Sequence, residues 1–211
     1  MLNDPEHGPP AGDGTPFEAH DLFAVPIWST MLPSMASIAP SMAADIGALL
    51  ETDMVVGAPG RQTDIVLQRL PGAHWEQFFT MLLAFTDRLA ANFQPTWRSR
   101  RHFSWGLEYR RLSDYAATDD FHTHIAASIS TVFYLNVPQE YDAIGGVGTV
   151  LRNPLKSVQH RYGAPDTATF VAETHRLLAF PSYLEHTSER PPSPTDFSSS
   201  RLCVVTDVCY Y

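Results

Sequence analysis

The second half of the chain contains five short segments that are rich in β-branched and aromatic residues, and turn-forming residues separate them. Segments of this length and composition are typical of β-strands. A chain with many short strands in succession buries them as an antiparallel sandwich or barrel. The predicted strands are Phe103–Arg111, Ile129–Val137, Gly148–Arg152, Arg176–Phe180 and Arg201–Val208.

Helical patterns precede these strands. Apolar residues recur at helical spacing from Ser41 to Glu51, where Ser41 is a plausible N-cap. A wider apolar face extends from Trp75 to Phe93. The proline-interrupted apolar run Leu22–Trp28 predicts an edge strand or an extended segment. The fold class is therefore α+β, with N-terminal helices that brace one face of the β-structure.

The composition is that of one globular domain. The chain has 211 residues, of which 44% are hydrophobic and 18% charged, so it can bury one sizeable core but hardly two. Residues 1–16 are rich in proline and glycine and predict a flexible tail. We expect a single domain over residues 17–211, with helical support at about 36–95 and a β-barrel at about 102–211.

Charge and hydropathy exclude several functions. A formal net charge of -9 makes nucleic acid an unfavourable partner. No apolar run approaches the roughly 20 residues that span a bilayer, and the first residues lack a signal-peptide pattern, so we expect a cytoplasmic protein without a membrane partner. Cys203 and Cys209 are then expected to be reduced, structural thiols.

His122 and His124 are two residues apart and closely precede a predicted strand. Residues two apart in a strand face the same side, so both imidazoles can converge on one point. Iron, zinc and copper accept neutral imidazole, but a pair of histidines needs at least one further ligand. His186, which follows an apolar strand and a turn, is the best candidate. Asp120 is an alternative ligand, or a hydrogen-bond partner of a ligand imidazole.

Arg201 begins the last predicted strand, 15 residues after His186. A guanidinium in so apolar a strand needs an anionic partner, since an unpaired buried charge is unfavourable. Its planar fork can bind a carboxylate in two places. The alternative is an exposed arginine in a salt bridge at the strand start.

In their order along the chain, these features resemble the prolyl-hydroxylase-like branch of the 2-oxoglutarate- and Fe(II)-dependent oxygenases. They are more closely similar to a bacterial group of oxygenases in that superfamily that has a His-x-His first motif. The resemblance covers nearly the whole chain. The matching pieces are Phe23–Trp28, His122–His124 with Ser130–Leu135, Asn153–Pro154, Phe180–His186 and the Arg201 strand.

The resemblance implies a double-stranded β-helix, which is a jelly-roll or cupin-like barrel. It implies Fe(II) bound by His122, His124 and His186, with no catalytic residue beyond these ligands. Arg201 would pair with the far carboxylate of 2-oxoglutarate, and Tyr134 would be a second contact for this cosubstrate. With O2 as the third reactant, the implied reaction is a hydroxylation that releases succinate and CO2. The acidic net charge and the proline- and serine-rich stretch before Arg201 favour a small molecule or a peptide side chain over nucleic acid as its substrate.

One residue departs from the wider superfamily, which usually has aspartate or glutamate at the position of His124. Imidazole in place of a carboxylate removes one negative charge from the metal's ligands, which alters metal affinity and oxygen activation. Two other functions therefore stay open. One is a three-histidine iron dioxygenase of cupin type that uses no keto acid. The other is a non-catalytic jelly-roll binding module.

The remaining motifs predict structure and not chemistry. His102, His160 and His175 have no partner spacing that indicates a site. Gly145–Gly148 resembles a turn between strands, since no phosphate-binding Gly-Lys-Ser/Thr follows it. The proline- and serine-rich stretch Glu189–Ser200 predicts a loop between two strands.

Overall fold

The structure, a computed structural model, describes residues 25–52, 61–93, 96–109, 121–143, 147–155, 165–189 and 199–211. Several sequence-based predictions lie outside these residues. They are the tail at residues 1–16, Asp120, His160 and most of the loop between Glu189 and Ser200.

Two long helices precede most of the strands, which confirms the α+β class. Helix α1 spans Ala39–Thr52 and helix α2 spans Ala73–Phe93, while α3 is a single turn at Glu140–Ala143. The strands are β1 (Trp28–Met31), β2 (Arg61–Gln62), β3 (Arg100–Tyr109), β4 (Ile129–Asn136), β5 (Gly148–Arg152), β6 (Thr167–Val171), β7 (Arg176–Pro181), β8 (His186–Ser188) and β9 (Arg201–Tyr210).

The start of α1 corrects the predicted N-cap at Ser41. The helix already begins at Ala39, so that Pro40 and Ser41 both lie in its first turn. Proline is tolerated in this turn because its missing N–H would have no partner within the helix. Ser41 is therefore a helical residue and not the cap.

All five predicted strands are present, with ends displaced by at most three residues. Four short strands were missed in the sequence: β2, β6, β8 and most of β1. The predicted edge segment contributes only its last residue, Trp28, to β1, which does lie at the edge of a sheet. Strands of two to five residues carry too little alternation to be recognised without their partners.

The strands form two antiparallel sheets. The larger has six strands in the order β1-β7-β4-β9-β3-β2, and the smaller has three in the order β6-β5-β8. An isolated bridge between His122 and His186 brings the segment before β4 to the edge of the smaller sheet, beside β8. Strands that neighbour one another are mostly distant in sequence, which is the pattern of a jelly-roll.

Alternation along the strands of the larger sheet separates two cores. Phe133, Leu202 and Val204 face helices α1 and α2, where they join Ile46 and Phe78 in one apolar cluster. The intervening residues face the smaller sheet instead, and Tyr134 and Cys203 belong to a second cluster between the sheets. Helices, large sheet and small sheet therefore form three layers, and the helices brace one face as predicted. No helix among the described residues has the length and apolarity needed to cross a bilayer.

Candidate metal centre

Three histidines meet at one edge of the space between the sheets. His186 opens β8, and its backbone exchanges two hydrogen bonds with that of His122, of 2.9 and 3.1 Å. The His124 N–H donates to the Ser182 carbonyl oxygen over 3.0 Å. These bonds, and not a regular strand, hold His122 and His124 in place, because the segment makes only one isolated bridge before turning at Ile125. The predicted convergence is present, although the segment is not part of a regular strand.

The side chains of these histidines form a compact donor set. One ring nitrogen from each lies within 4.8 Å of those from the other two. The ring centroids are 4.4 to 5.2 Å apart. His186 is buried, His124 is half-buried and His122 is exposed, so the set opens from the protein interior towards solvent. Among the described residues, this is the group of three side chains that could hold a metal ion.

His186 is prepared for a metal by its surroundings. Its Nδ1 lies 3.0 Å from the Leu184 carbonyl oxygen, which can only accept, so Nδ1 carries the proton and Nε2 keeps its lone pair. Burial, with the neighbouring His122 and His124 imidazoles, lowers the pKa of His186 to about 4. Neutral imidazole is the form that binds metal, so this ligand is ready at neutral pH.

His124 has a carboxylate behind it. Its Nδ1 lies 2.6 Å from Asp207 Oδ1, and Ser130 Oγ donates to the same oxygen over 2.7 Å. The Ser182 hydroxyl lies 2.9 Å from that of Ser130 and completes the network. As in His186, the hydrogen bond at Nδ1 leaves Nε2 available to bind a metal. Sequence reasoning missed Asp207, although it lies an even number of residues after Arg201 in a predicted strand and therefore on the same face.

The three histidines line a cavity of about 500 Å³ between the sheets. Its inner end is defined by the buried lining residues Arg201, Tyr134 and Thr149, which are at most 6% exposed. Its outer end is apolar: Phe103 is 41% exposed, Ile125 is 90% exposed, and Trp105 stacks on Phe103. The lining therefore includes both buried polar groups and exposed apolar ones.

Arg201 and Tyr134 are both fully enclosed at the inner end. Arg201 is 1% exposed, and its guanidinium lies 4.2 Å from the centre of the Tyr109 ring, which is opposite it in strand register. The exposed arginine considered as an alternative is thus wrong for Arg201. The Tyr134 hydroxyl lies 2.7 Å from Thr149 Oγ1, and burial raises the pKa of Tyr134 to about 12, so it remains protonated.

The structure thus brings together all five residues singled out in the sequence, namely His122, His124, His186, Arg201 and Tyr134, around one cavity. Two other histidines lie apart from it. His102 packs against Phe79 of α2, and His175 occupies a turn with a φ of 68°. Cys203 and Cys209 are buried free thiols, and both line the cavity.

No family model matches the chain, and no curated protein matches it in sequence. Solved structures do match it. A prolyl-4-hydroxylase from Pseudomonas putida is 13% identical with a TM-score of 0.57, over 89% of this chain and 94% of the other. A prolyl hydroxylase from Trichoplax adhaerens, in complex with a peptide fragment of hypoxia-inducible factor, is 11% identical with a TM-score of 0.52, over 88% and 83%.

A third match is HygX from Streptomyces hygroscopicus, solved with nickel, 2-oxoglutarate and hygromycin B bound. It is 13% identical with a TM-score of 0.51, over 88% of this chain and 83% of the other. At these identities the likeness concerns the fold alone. The chain has the double-stranded β-helix fold of the 2-oxoglutarate oxygenases, as the sequence resemblance implies.

Proposed function

We propose that this protein is a non-haem Fe(II)- and 2-oxoglutarate-dependent oxygenase. The observation that carries the proposal is the shared cavity, which is lined both by three convergent imidazoles and by a buried guanidinium. The proposed reaction consumes O2 and 2-oxoglutarate, inserts one oxygen atom into a substrate C–H bond and releases succinate and CO2.

The donor set fits a transition metal. Three imidazole nitrogens within 4.8 Å of one another suit Fe(II), and also zinc or copper. The ring nitrogens opposite the donors of His124 and His186 are held by Asp207 and the Leu184 carbonyl, which is how proteins fix metal-binding imidazoles. His122, His124 and His186 would hold the metal and leave positions open for reactants.

The other residues would bind and orient the cosubstrate. Bound Fe(II) would supply the redox chemistry with O2 and the keto acid. The Arg201 fork would pair with the carboxylate of 2-oxoglutarate that lies farthest from the metal, and the Tyr134 hydroxyl would donate to the same group. The two sheets would keep water from the reacting atoms and hold them in line.

The apolar outer end supports an uncharged substrate group. Phe103, Trp105 and Ile125 surround it, and exposed apolar side chains clustered at one cavity indicate a binding surface. The Trichoplax enzyme was solved with a peptide and HygX with hygromycin B, so proteins of this fold bind ligands of both kinds. For this chain we propose a small molecule or a peptide side chain. We also propose a cytoplasmic location, which the sequence predicts.

The test is succinate formation from 2-oxoglutarate by Fe(II)-loaded protein in air with ascorbate. We expect slow turnover without added substrate in the wild type, and none in His186→Ala, which lacks a ligand. Protein that binds iron but forms no succinate, alone or with any of a panel of peptides and small molecules, would contradict the proposal.

A three-histidine dioxygenase without keto acid is the second candidate, and His124 in place of a carboxylate favours it. Arg201→Ala distinguishes the two. If 2-oxoglutarate is the cosubstrate, this variant loses succinate formation while it still binds Fe(II). If no keto acid takes part, the wild type and Arg201→Ala should both consume O2 with the substrate at a rate that does not depend on added 2-oxoglutarate.

A further inference from the structure

Three neutral imidazoles leave the charge of a divalent cation uncompensated. A cation in a partly buried site is unfavourable without a nearby negative charge. The cavity already contains one positive group, the Arg201 guanidinium. Among the described residues that line the cavity, Asp207 is the only acidic one.

Asp207 is placed to act on the metal site through His124. Its Oδ1 lies 2.6 Å from His124 Nδ1, and the side chains are 14% and 20% exposed, so solvent screens the pair only partly. Strand register puts Asp207 opposite Ser130, whose hydroxyl donates to the same oxygen over 2.7 Å. Ser130 and Ser182 are both buried, and their hydroxyl groups are hydrogen-bonded, so the Asp207 carboxylate is held in place.

The geometry points to Asp207 as the residue that supplies the centre's missing negative charge, transmitted by the hydrogen bond to His124. A carboxylate bound directly to the metal would give this charge from the position of His124. In this site the His124 imidazole is the ligand. The Asp207 carboxylate is hydrogen-bonded to that imidazole and strengthens it as an electron-pair donor to the metal. This assignment rests on the metal site of the proposed function, but it concerns charge and not turnover.

Asp207→Asn tests the assignment, because the amide keeps a hydrogen-bond acceptor for His124 and removes the charge. We expect the dissociation constant for Co(II), measured without oxygen against a competing chelator, to rise by about 10- to 100-fold. We also expect the Fe(III)/Fe(II) midpoint potential to rise, since losing a negative charge disfavours the more highly charged ion. Asp207→Glu keeps the charge and should stay closer to the wild type in both measurements.

The chain contains a matched control in a second histidine–aspartate pair. Asp45 Oδ2 lies 2.8 Å from His74 Nε2 between α1 and α2, away from the cavity. Asp45→Asn should leave Co(II) affinity and midpoint unchanged. Thermal unfolding of the metal-free variants separates loss of folding from loss of metal affinity.

The possible outcomes are distinct. Weaker binding by Asp207→Asn with an unchanged midpoint would mean that Asp207 only orients the ring, and the assignment would be overturned. Wild-type affinity in Asp207→Asn, with binding lost in His186→Ala, would overturn it as well and leave the metal centre standing. Failure of the wild type itself to bind a divalent metal would overturn the proposed function together with this inference.

Discussion

At the scale of single residues, the inner end of the cavity has two hydroxyl groups in the same lining as the buried Arg201 guanidinium. The Tyr134 hydroxyl lies 2.7 Å from Thr149 Oγ1, and both side chains line the cavity with Arg201. Because the pKa of Tyr134 is raised to about 12, the phenol is a hydrogen-bond donor throughout the physiological pH range. Such a donor contributes to binding an anion without carrying a charge.

We expect Tyr134→Phe to raise the KM for 2-oxoglutarate about 3- to 10-fold and to change kcat little, since a net hydrogen bond contributes about 0.5–1.5 kcal/mol. Steady-state succinate assays measure both constants. Tyr210→Phe is the matched control, because the Tyr210 hydroxyl bonds Asp87 over 3.1 Å in a different cluster. An unaltered KM in Tyr134→Phe would remove Tyr134 from the binding site.

At the scale of elements, the close approach of α1 to β3 positions the larger sheet. Gly106 of β3 faces Ile46 of α1, and a Cβ added at Gly106 would lie 2.6 Å from Ile46 Cγ2. The small residue lets the helix lie close to the sheet, so that Ile46 is buried against it. Helix and strand are thus matched in shape at this point.

Gly106→Ala should destabilise the protein by about 1–3 kcal/mol, because the added methyl group overpacks the contact with Ile46. Urea unfolding gives the free energy. In an Ile46→Ala background Gly106→Ala should cost less free energy, since that variant lacks Cγ2, Cγ1 and Cδ1, the three atoms that the added methyl group would meet.

Gly47→Ala is the matched control in α1. A Cβ there meets nothing within 4 Å, so alanine should stabilise the helix by about 0.5–1 kcal/mol. If Gly106→Ala costs the same free energy in the wild type and in the Ile46→Ala variant, the two residues are not coupled and the overpacking explanation is wrong.

At the scale of the whole molecule, the buried histidine of the cluster makes the free energy of unfolding depend on pH. In the folded protein the pKa of His186 is about 4, against about 6.5 in an unfolded chain. Between these values the unfolded state binds a proton that the folded state does not. Folding is therefore unaffected by this group above pH 6.5 and becomes less favourable as pH falls towards 4.

We expect the free energy of unfolding of the metal-free protein to decline below pH 6.5, with at most about 1.4 kcal/mol per pH unit from His186. In His186→Gln the free energy of unfolding should decline less below pH 6.5, because the contribution of His186 is absent. His122→Gln, which replaces the exposed imidazole of the same site, is the comparison. Urea unfolding at several pH values measures the free energy of unfolding of each protein. Identical pH profiles for wild type and His186→Gln would contradict the prediction.

The sequence alone was sufficient for the features that local patterns encode. Strand composition predicted β3, β4, β5, β7 and β9, and apolar periodicity predicted both long helices. The histidines and Arg201 were singled out by their residue types and order, and Tyr134 by the family resemblance. Local patterns did not predict the shortest strands. β2 has two residues and β8 has three, which are too few to show an alternation.

Tertiary structure decided which of these residues meet and what lies behind them. His122 and His186 are joined by backbone bonds between segments far apart in sequence, and Asp207 reaches His124 only because β9 pairs with β4. Strand pairing across long separations depends on the whole chain's packing and not on the local pattern. For that reason the sequence by itself determined the metal's candidate ligands, whereas only the folded sheets decided how those ligands are held and which carboxylate is near them.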